Sequence, residues 1–267
     1  MISRREFLAA AAVLPQATRA RDGALLYIGA FPGRILVFDE DQEKVVDSIP
    51  LHTGVPRGVR LSYDRKKIYI NTPVKNGIEV LDLATRKITN HFVLDEANRR
   101  VAVQGYAPDP QDKLLYGRIR VSIKQIDRFE IEKPKFAVID LAEKKIVKTV
   151  DLPMESGKPI NTGDLRVTPD GKFLYSFAEH VRIFDTADFK EVDKIELYKP
   201  PYPGMDRINL NTREDPTEPR DIVTGIFNSV DPIVRRAVFG IARFDLNKRT
   251  FEFTPVGPSA QAGIMGL

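Results

Sequence analysis

The sequence has no cysteine, no tryptophan and only three histidines in 267 residues. Without cysteine there is no disulfide framework, zinc–thiolate site, iron–sulfur cluster, thioether-bound haem or thiol nucleophile. No run of 18 apolar residues occurs, which excludes a membrane-spanning helix. Charge of one sign is scarce too. Lys and Arg number 41 against 37 Asp and Glu, a net +4, so nothing points to nucleic acid. G-x-S-x-G, P-loop, dinucleotide and H-E-x-x-H motifs are all missing. No histidine pair has metal-helix spacing, and a metal-dependent hydrolase has no support. What remains is a globular composition, 42% apolar and 29% charged. A chain of this length removes roughly 70–75% of its unfolded surface from water in one or two domains.

The first twenty residues read as an export address. Ser3-Arg4-Arg5-Glu6-Phe7-Leu8 precedes a short apolar run from Ala9 to Leu14, and Ala20 offers a small residue for cleavage. The Arg-Arg-x-Phe-Leu core is similar to a twin-arginine signal, which moves folded proteins out of the bacterial cytoplasm. Ala9, where lysine is common, and the Thr18-Arg19-Ala20 end depart from that pattern. Removing residues 1–20 leaves a chain of about +2. The expected layout is a signal peptide over 1–20 and one domain over 21–267, located in the periplasm or secreted.

A repeat fills that domain. Two apolar residues and an aspartate, four turn residues, then a polar and an apolar residue recur at Val37-Phe38-Asp39, Val80-Leu81-Asp82, Val138-Ile139-Asp140, Ile183-Phe184-Asp185 and Phe244-Asp245. The anchor aspartates are spaced by 43, 58, 45 and 60 residues, a unit of 43–45 with two insertions. A second block precedes three copies: Asp64 to Tyr69, Gln111 to Tyr116 and Asp170 to Tyr175. Alternating β-branched and aromatic residues between Pro, Asp and Gly turns are strands. Each unit is four short antiparallel strands, A to D from the centre outward, with A at Gly58–Ser62, B at Lys67–Asn71, C at Ile78–Asp82 and D at Lys87–Leu94. No sustained helical period competes. The period and strand count predict an all-β fold, a β-propeller of four-stranded antiparallel blades.

The consensus G-[VL]-x-[LV]-[ST]-x-D-G-K-x-[LI]-Y followed by [VI]-[IL]-D-x-x-x-x-K-[VI] resembles the YVTN family of propeller repeats from residue 24 to 267. The signal, the missing cysteines and the irregular insertions look most like the β subunit of quinohemoprotein amine dehydrogenase and its relatives. The missing tryptophans argue against the eight-bladed quinoprotein alcohol dehydrogenases. The resemblance implies a non-cofactor subunit or scaffold of a periplasmic redox enzyme, without catalysis of its own. The quinone and haem would sit on partner subunits. A solitary propeller binding a ligand or protein is the alternative, and a lactonase-like hydrolase ranks last. Five anchor aspartates mark five blades. Ala262 to Leu267 aligns with strand A, so it either closes a five-bladed ring with Leu25–Leu51 or ends a piece of a seven-bladed protein. The larger size of related propellers favours the second.

Strand directions alternate, so A–B and C–D turns share one face of the disc and B–C and D–A connections the other. The long segments Arg118–Lys135, Pro153–Gly163 and Tyr198–Arg220 are assigned to the second face, which makes it the expected functional face. Between Gly117 and Lys135 lie six basic and three acidic residues. Arg118 and Arg120 there form either a basic lip for an anionic partner or charges on a solvated edge hairpin. The Pro-rich stretch Lys199 to Asp215 offers Tyr202, Arg207 and Arg213 as contacts in a docking or capping loop, or is a stiff crossover. His52 and Arg57 lie on the first D–A connection. There His52 is a ligand contact or, more commonly for this residue type, a loop histidine with its own local partner. No catalytic or metal-ligating residue is assigned.

Overall fold

In the computed structural model the described residues are 24–202, 204–212, 219–230, 233 and 237–258. Residues 1–20, Arg213, Arg235-Arg236 and the Ala262–Leu267 tail lie outside them. The described residues form strands and no helix, arranged as five antiparallel blades. The first blade contributes β1 (Leu25–Ala30), β2 (Arg34–Asp39) and β3 (Lys44–Pro50). The second has β4 (Gly58–Leu61), β5 (Lys67–Thr72), β6 (Gly77–Asp82) and β7 (Lys87–Val93). The third has β8 (Arg99–Pro108), β9 (Leu114–Lys124), β10 (Phe129–Ile131), β11 (Lys135–Asp140) and β12 (Lys145–Asp151). A two-stranded ribbon, β13 (Met154–Glu155) and β14 (Lys158–Pro159), leads to the fourth: β15 (Asp164–Val167), β16 (Phe173–Phe177), β17 (His180–Asp185) and β18 (Glu191–Glu196). The fifth has β19 (Met205–Leu210), β20 (Ile222–Val230), β21 (Ala237–Asp245) and β22 (Thr250–Pro258).

The repeated residues have repeated physical tasks. Each anchor aspartate turns its carboxylate back onto backbone N–H groups of the C–D turn. Asp39 accepts from Asp41 and Gln42, Asp82 from Thr85, Asp140 from Ala142 and Glu143, Asp185 from Ala187, and Asp245 from Asn247 and Lys248. In every one of these turns the fourth residue after the aspartate is left-handed: Glu43, Arg86, Lys144, Phe189 and Arg249, with φ between 50° and 60°. Phe189 tolerates this because its ring is buried and stacked on Phe136 at 5.0 Å. The A–B turns use a hydroxyl in the same way. Ser62 accepts from the Lys66 and Lys67 amides, and Thr168 from that of Phe173.

The tyrosine ending the B-strand motif joins one blade to the next. Tyr69 donates to the Asp112 carboxylate of the third blade at 3.3 Å. Tyr175 donates to the Leu246 carbonyl of the fifth blade. Four apolar clusters fill the gaps between consecutive blades, centred on residues such as Ile70, Ile119, Phe136 and Phe244, all fully buried. The innermost strands β4, β8, β15 and β19 face a central channel. Its curvature brings the second and fifth blades together there, where the Arg220 guanidinium donates to the Ser62 carbonyl.

The B–C insertion of the third blade prolongs β9 and returns as β10, the edge hairpin that the sequence offered as one reading. Lengthened β8 pairs with β9 on one side and β10 on its outer end on the other, so the blade projects as a three-stranded tongue. The segment Tyr198–Arg220 is not one D–A connection. It contains β19, which pairs with β20, so the described residues Asn211, Thr212 and Arg220 belong to an A–B connection and not to the D–A face. Short apolar strands such as β19, with the pattern Met-Asp-Arg-Ile-Asn-Leu, carry too little alternation to be recognised inside a Pro- and Gly-rich stretch.

Candidate functional site at the channel mouth

The channel has two unlike ends. At the A–B end, three arginines fill it. Arg60 donates to Asp164 at 2.7 Å, and Arg166 donates to the carbonyls of Thr212 and Ile222 at 3.2 and 3.3 Å. Arg220 lies over the Tyr63 ring at 5.1 Å. The Thr212 hydroxyl closes the group by donating to Asp164. Only about 20 Å³ of cavity remains among Arg60, Tyr63, Arg166 and Arg220. None of these residues was singled out from the sequence. Arg60 and Arg166 nonetheless occupy one repeat position, two residues before the turn hydroxyls Ser62 and Thr168, and an aligned arginine on the innermost strand was a usable signal.

At the other end, Arg57, Arg118 and Arg120 come from two blades and lie near enough for the charges of Arg120 and Arg57 to act on Arg118. Arg57 ends the D–A link and is anchored through its backbone N–H to the Asn71 carbonyl at 2.9 Å. Arg118 lies opposite Gly105 in the β8–β9 pairing, at the level where β8 leaves the tongue and enters the channel wall. Arg120 is one pleat further out on the same face of β9. Burial, and then the charges of Arg120 and Arg57, push the Arg118 pKa below its ordinary value. A guanidinium stays charged through such a shift, so the shift expresses unmet electrostatic demand. The Arg118 Nε atom is buried with no hydrogen-bond partner, as are those of Arg166 and Arg220, but those two donate through their terminal nitrogens to backbone carbonyls. No side-chain hydrogen bond or ion pair joins Arg57, Arg118 or Arg120 to another described residue. Such a cluster stabilises a bound anion and repels a cation.

His52 and Tyr202 take other places. The His52 backbone donates to Glu79 at 2.8 Å and its Nδ1 lies 3.1 Å from the same carboxylate. The His52 ring stacks on His91 at 4.2 Å. Glu79 is wholly buried and also accepts from the Thr53 amide and hydroxyl at 2.7 and 2.6 Å. Burial raises its pKa, but the hydrogen bonds from Thr53 and His52 outweigh that and leave it below the ordinary value. Gly77 makes room, since any side chain there would collide with Thr53. This network therefore pins the link that carries Arg57. Tyr202 packs edge-on against Phe253 at 4.9 Å and belongs to the fifth blade's apolar cluster. Arg207 lies on β19, over the Tyr198 ring at 5.6 Å, and lines a cavity of about 750 Å³ between the fourth and fifth blades.

Among the described residues no group of three or more His, Asp or Glu side chains is arranged to hold a metal ion. No family model matches the chain. No curated protein matches it either. Among solved structures the chain is similar to hydrazine synthase from Kuenenia stuttgartiensis, at 12% identity and a TM-score of 0.46. The match covers 84% of this chain and 60% of that one, so the chain spans less than two thirds of that neighbour's length. The class that the fold defines is a five-bladed β-propeller with a basic channel mouth.

Proposed function

We propose that this protein is an exported, non-catalytic propeller that binds an anionic ligand, or an acidic group on a partner, at the B–C and D–A mouth of its channel. The observation that carries this reading is that Arg57 and Arg120 place their charges against half-buried Arg118, with no ion pair from any of the three to a described carboxylate. Guanidinium forks bind carboxylate and phosphate oxygens in pairs, and the rigid blades hold them in place before the ligand arrives. The role proposed for these guanidinium groups is recognition by charge. The test is calorimetric titration of the chain with citrate and inorganic phosphate at low and high salt. Binding that weakens with salt, and falls roughly tenfold or more in Arg118→Gln, is expected. Equal affinity in wild type and variant sinks the reading.

A second reading is favoured by the tongue. Ile126, Phe129 and Ile131 are exposed together at its tip and on edge strand β10, which fits a protein partner. It agrees with the resemblance to amine dehydrogenase β subunits, in which quinone and haem belong to partner subunits. Native purification from the periplasm with an absorption spectrum separates the two. A haem band on a stoichiometric companion supports the subunit, and a colourless single species supports the solitary binder.

A further inference from the structure

The cavity between the fourth and fifth blades is a second site, separate from the arginine cluster. Its volume of about 750 Å³ lies within the ~300–1,000 Å³ of small-molecule sites. One wall is apolar, made by Phe177, Leu197 and Ile208, residues whose remaining surface is buried in the blade interface. Arg207 projects from the innermost strand of the fifth blade, and Glu179 from the B–C turn of the fourth. These two charges have different standing from their neighbours. His180, also in the lining, lies with its Nδ1 2.7 Å from Glu196, outside the N–H direction, and Glu196 in turn meets Lys194 at 3.5 Å. Arg207 makes no ion pair with any described residue, and Glu179 has none either. Arg207 is instead held by its contact with the Tyr198 ring and by the bridge between their backbones. The cavity thus presents an exposed cation held on the Tyr198 ring, an exposed carboxylate without an ion pair among the described residues, and an apolar wall.

A simple anion would meet Glu179, and a simple cation would meet Arg207. A molecule carrying both charges satisfies both and covers the apolar wall with its body. We propose that this cavity binds a zwitterionic amino acid or short peptide, its carboxylate on Arg207, its ammonium on Glu179 and its apolar side chains against Phe177, Leu197 and Ile208. Arg57, Arg118 and Arg120 are not among the residues that line this cavity, so the two sites respond to different variants.

The test is calorimetry of the full chain with L-leucyl-L-leucine and its N-acetyl and C-terminal amide forms. The free dipeptide is expected to bind, and each blocked form to bind roughly tenfold more weakly or worse. Arg207→Gln should remove the preference for a free carboxylate, and Glu179→Gln the preference for a free ammonium. Arg118→Gln should leave dipeptide binding unchanged while abolishing citrate binding, which separates this proposal from the reading of the mouth. No heat of binding at about 10 mM dipeptide, with the strand signature intact by circular dichroism, overturns the proposal. Equal affinity for free and blocked forms overturns it too, because the charges would then play no part.

Discussion

The two ends of one channel hold the same residue type under opposite conditions. At the A–B end Arg60 and Arg166 reach Asp164 and two backbone carbonyls, and together with Arg220 they leave almost no space. At the other end the charges of Arg120 and Arg57 oppose that of Arg118, and none of the three has a side-chain hydrogen bond or ion pair with a described residue. The first set is structural because its charge is spent inside the fold. The second is available to a ligand because its charge is not. Partners decide which is which, not the identity of the residue.

The contrast breaks most visibly at the closed end. Arg166→Ala takes the donor from the Ile222 carbonyl, leaves the Thr212 carbonyl with only the longer Arg60 contact, and opens a gap in the channel. It is expected to cost about 3 kcal/mol, read as a lowered urea midpoint, with citrate binding retained. An unchanged midpoint would mean that the arginine plug does not hold the ring.

The next effect concerns the link that presents Arg57. Glu79 has a folded pKa below its ordinary value of 4.5, so its ionised form favours the folded state. That stabilisation is present above pH 4.5 and is lost as pH falls through the lower folded value. Glu79→Gln should therefore cost about 1–3 kcal/mol at neutral pH and should flatten the acid side of the stability profile. Parallel profiles for wild type and variant would remove Glu79 from the account.

The smallest effect sharpens the comparison best. Arg118→Gln removes a half-buried charge that its neighbours oppose. It should leave stability unchanged or raise it by up to about 1 kcal/mol while anion binding disappears. Thermal denaturation without added anion reads this directly. A loss of stability there would place Arg118 with the structural arginines.

Much of the fold was legible in the sequence. The anchor aspartates, the A–B turn hydroxyls and the B-strand tyrosines recur because each solves a local problem: a turn N–H to satisfy, or a groove to fill on the neighbouring blade. Strand limits such as Lys67–Thr72 and Lys87–Val93 fell within a residue or two of the repeat. The site was legible only in part. Arg57, Arg118 and Arg120 were nameable as residues, but their convergence depends on the lengthened β8 and β9. His52 and Tyr202 each had two readings, contact or locally held residue; the structure places His52 against buried Glu79 and Tyr202 in an aromatic cluster.

Local chemistry in the sequence was enough to set the repeat, the turns and the all-β class, because each rests on hydrogen bonds and side-chain alternation within a few residues. Only the tertiary structure could decide which arginines are satisfied. That depends on which strands meet at the channel, over separations such as the 152 residues between Arg60 and Thr212. The electrostatic energy of a charge is set by what lies within a few ångströms of it, and chain order does not record that.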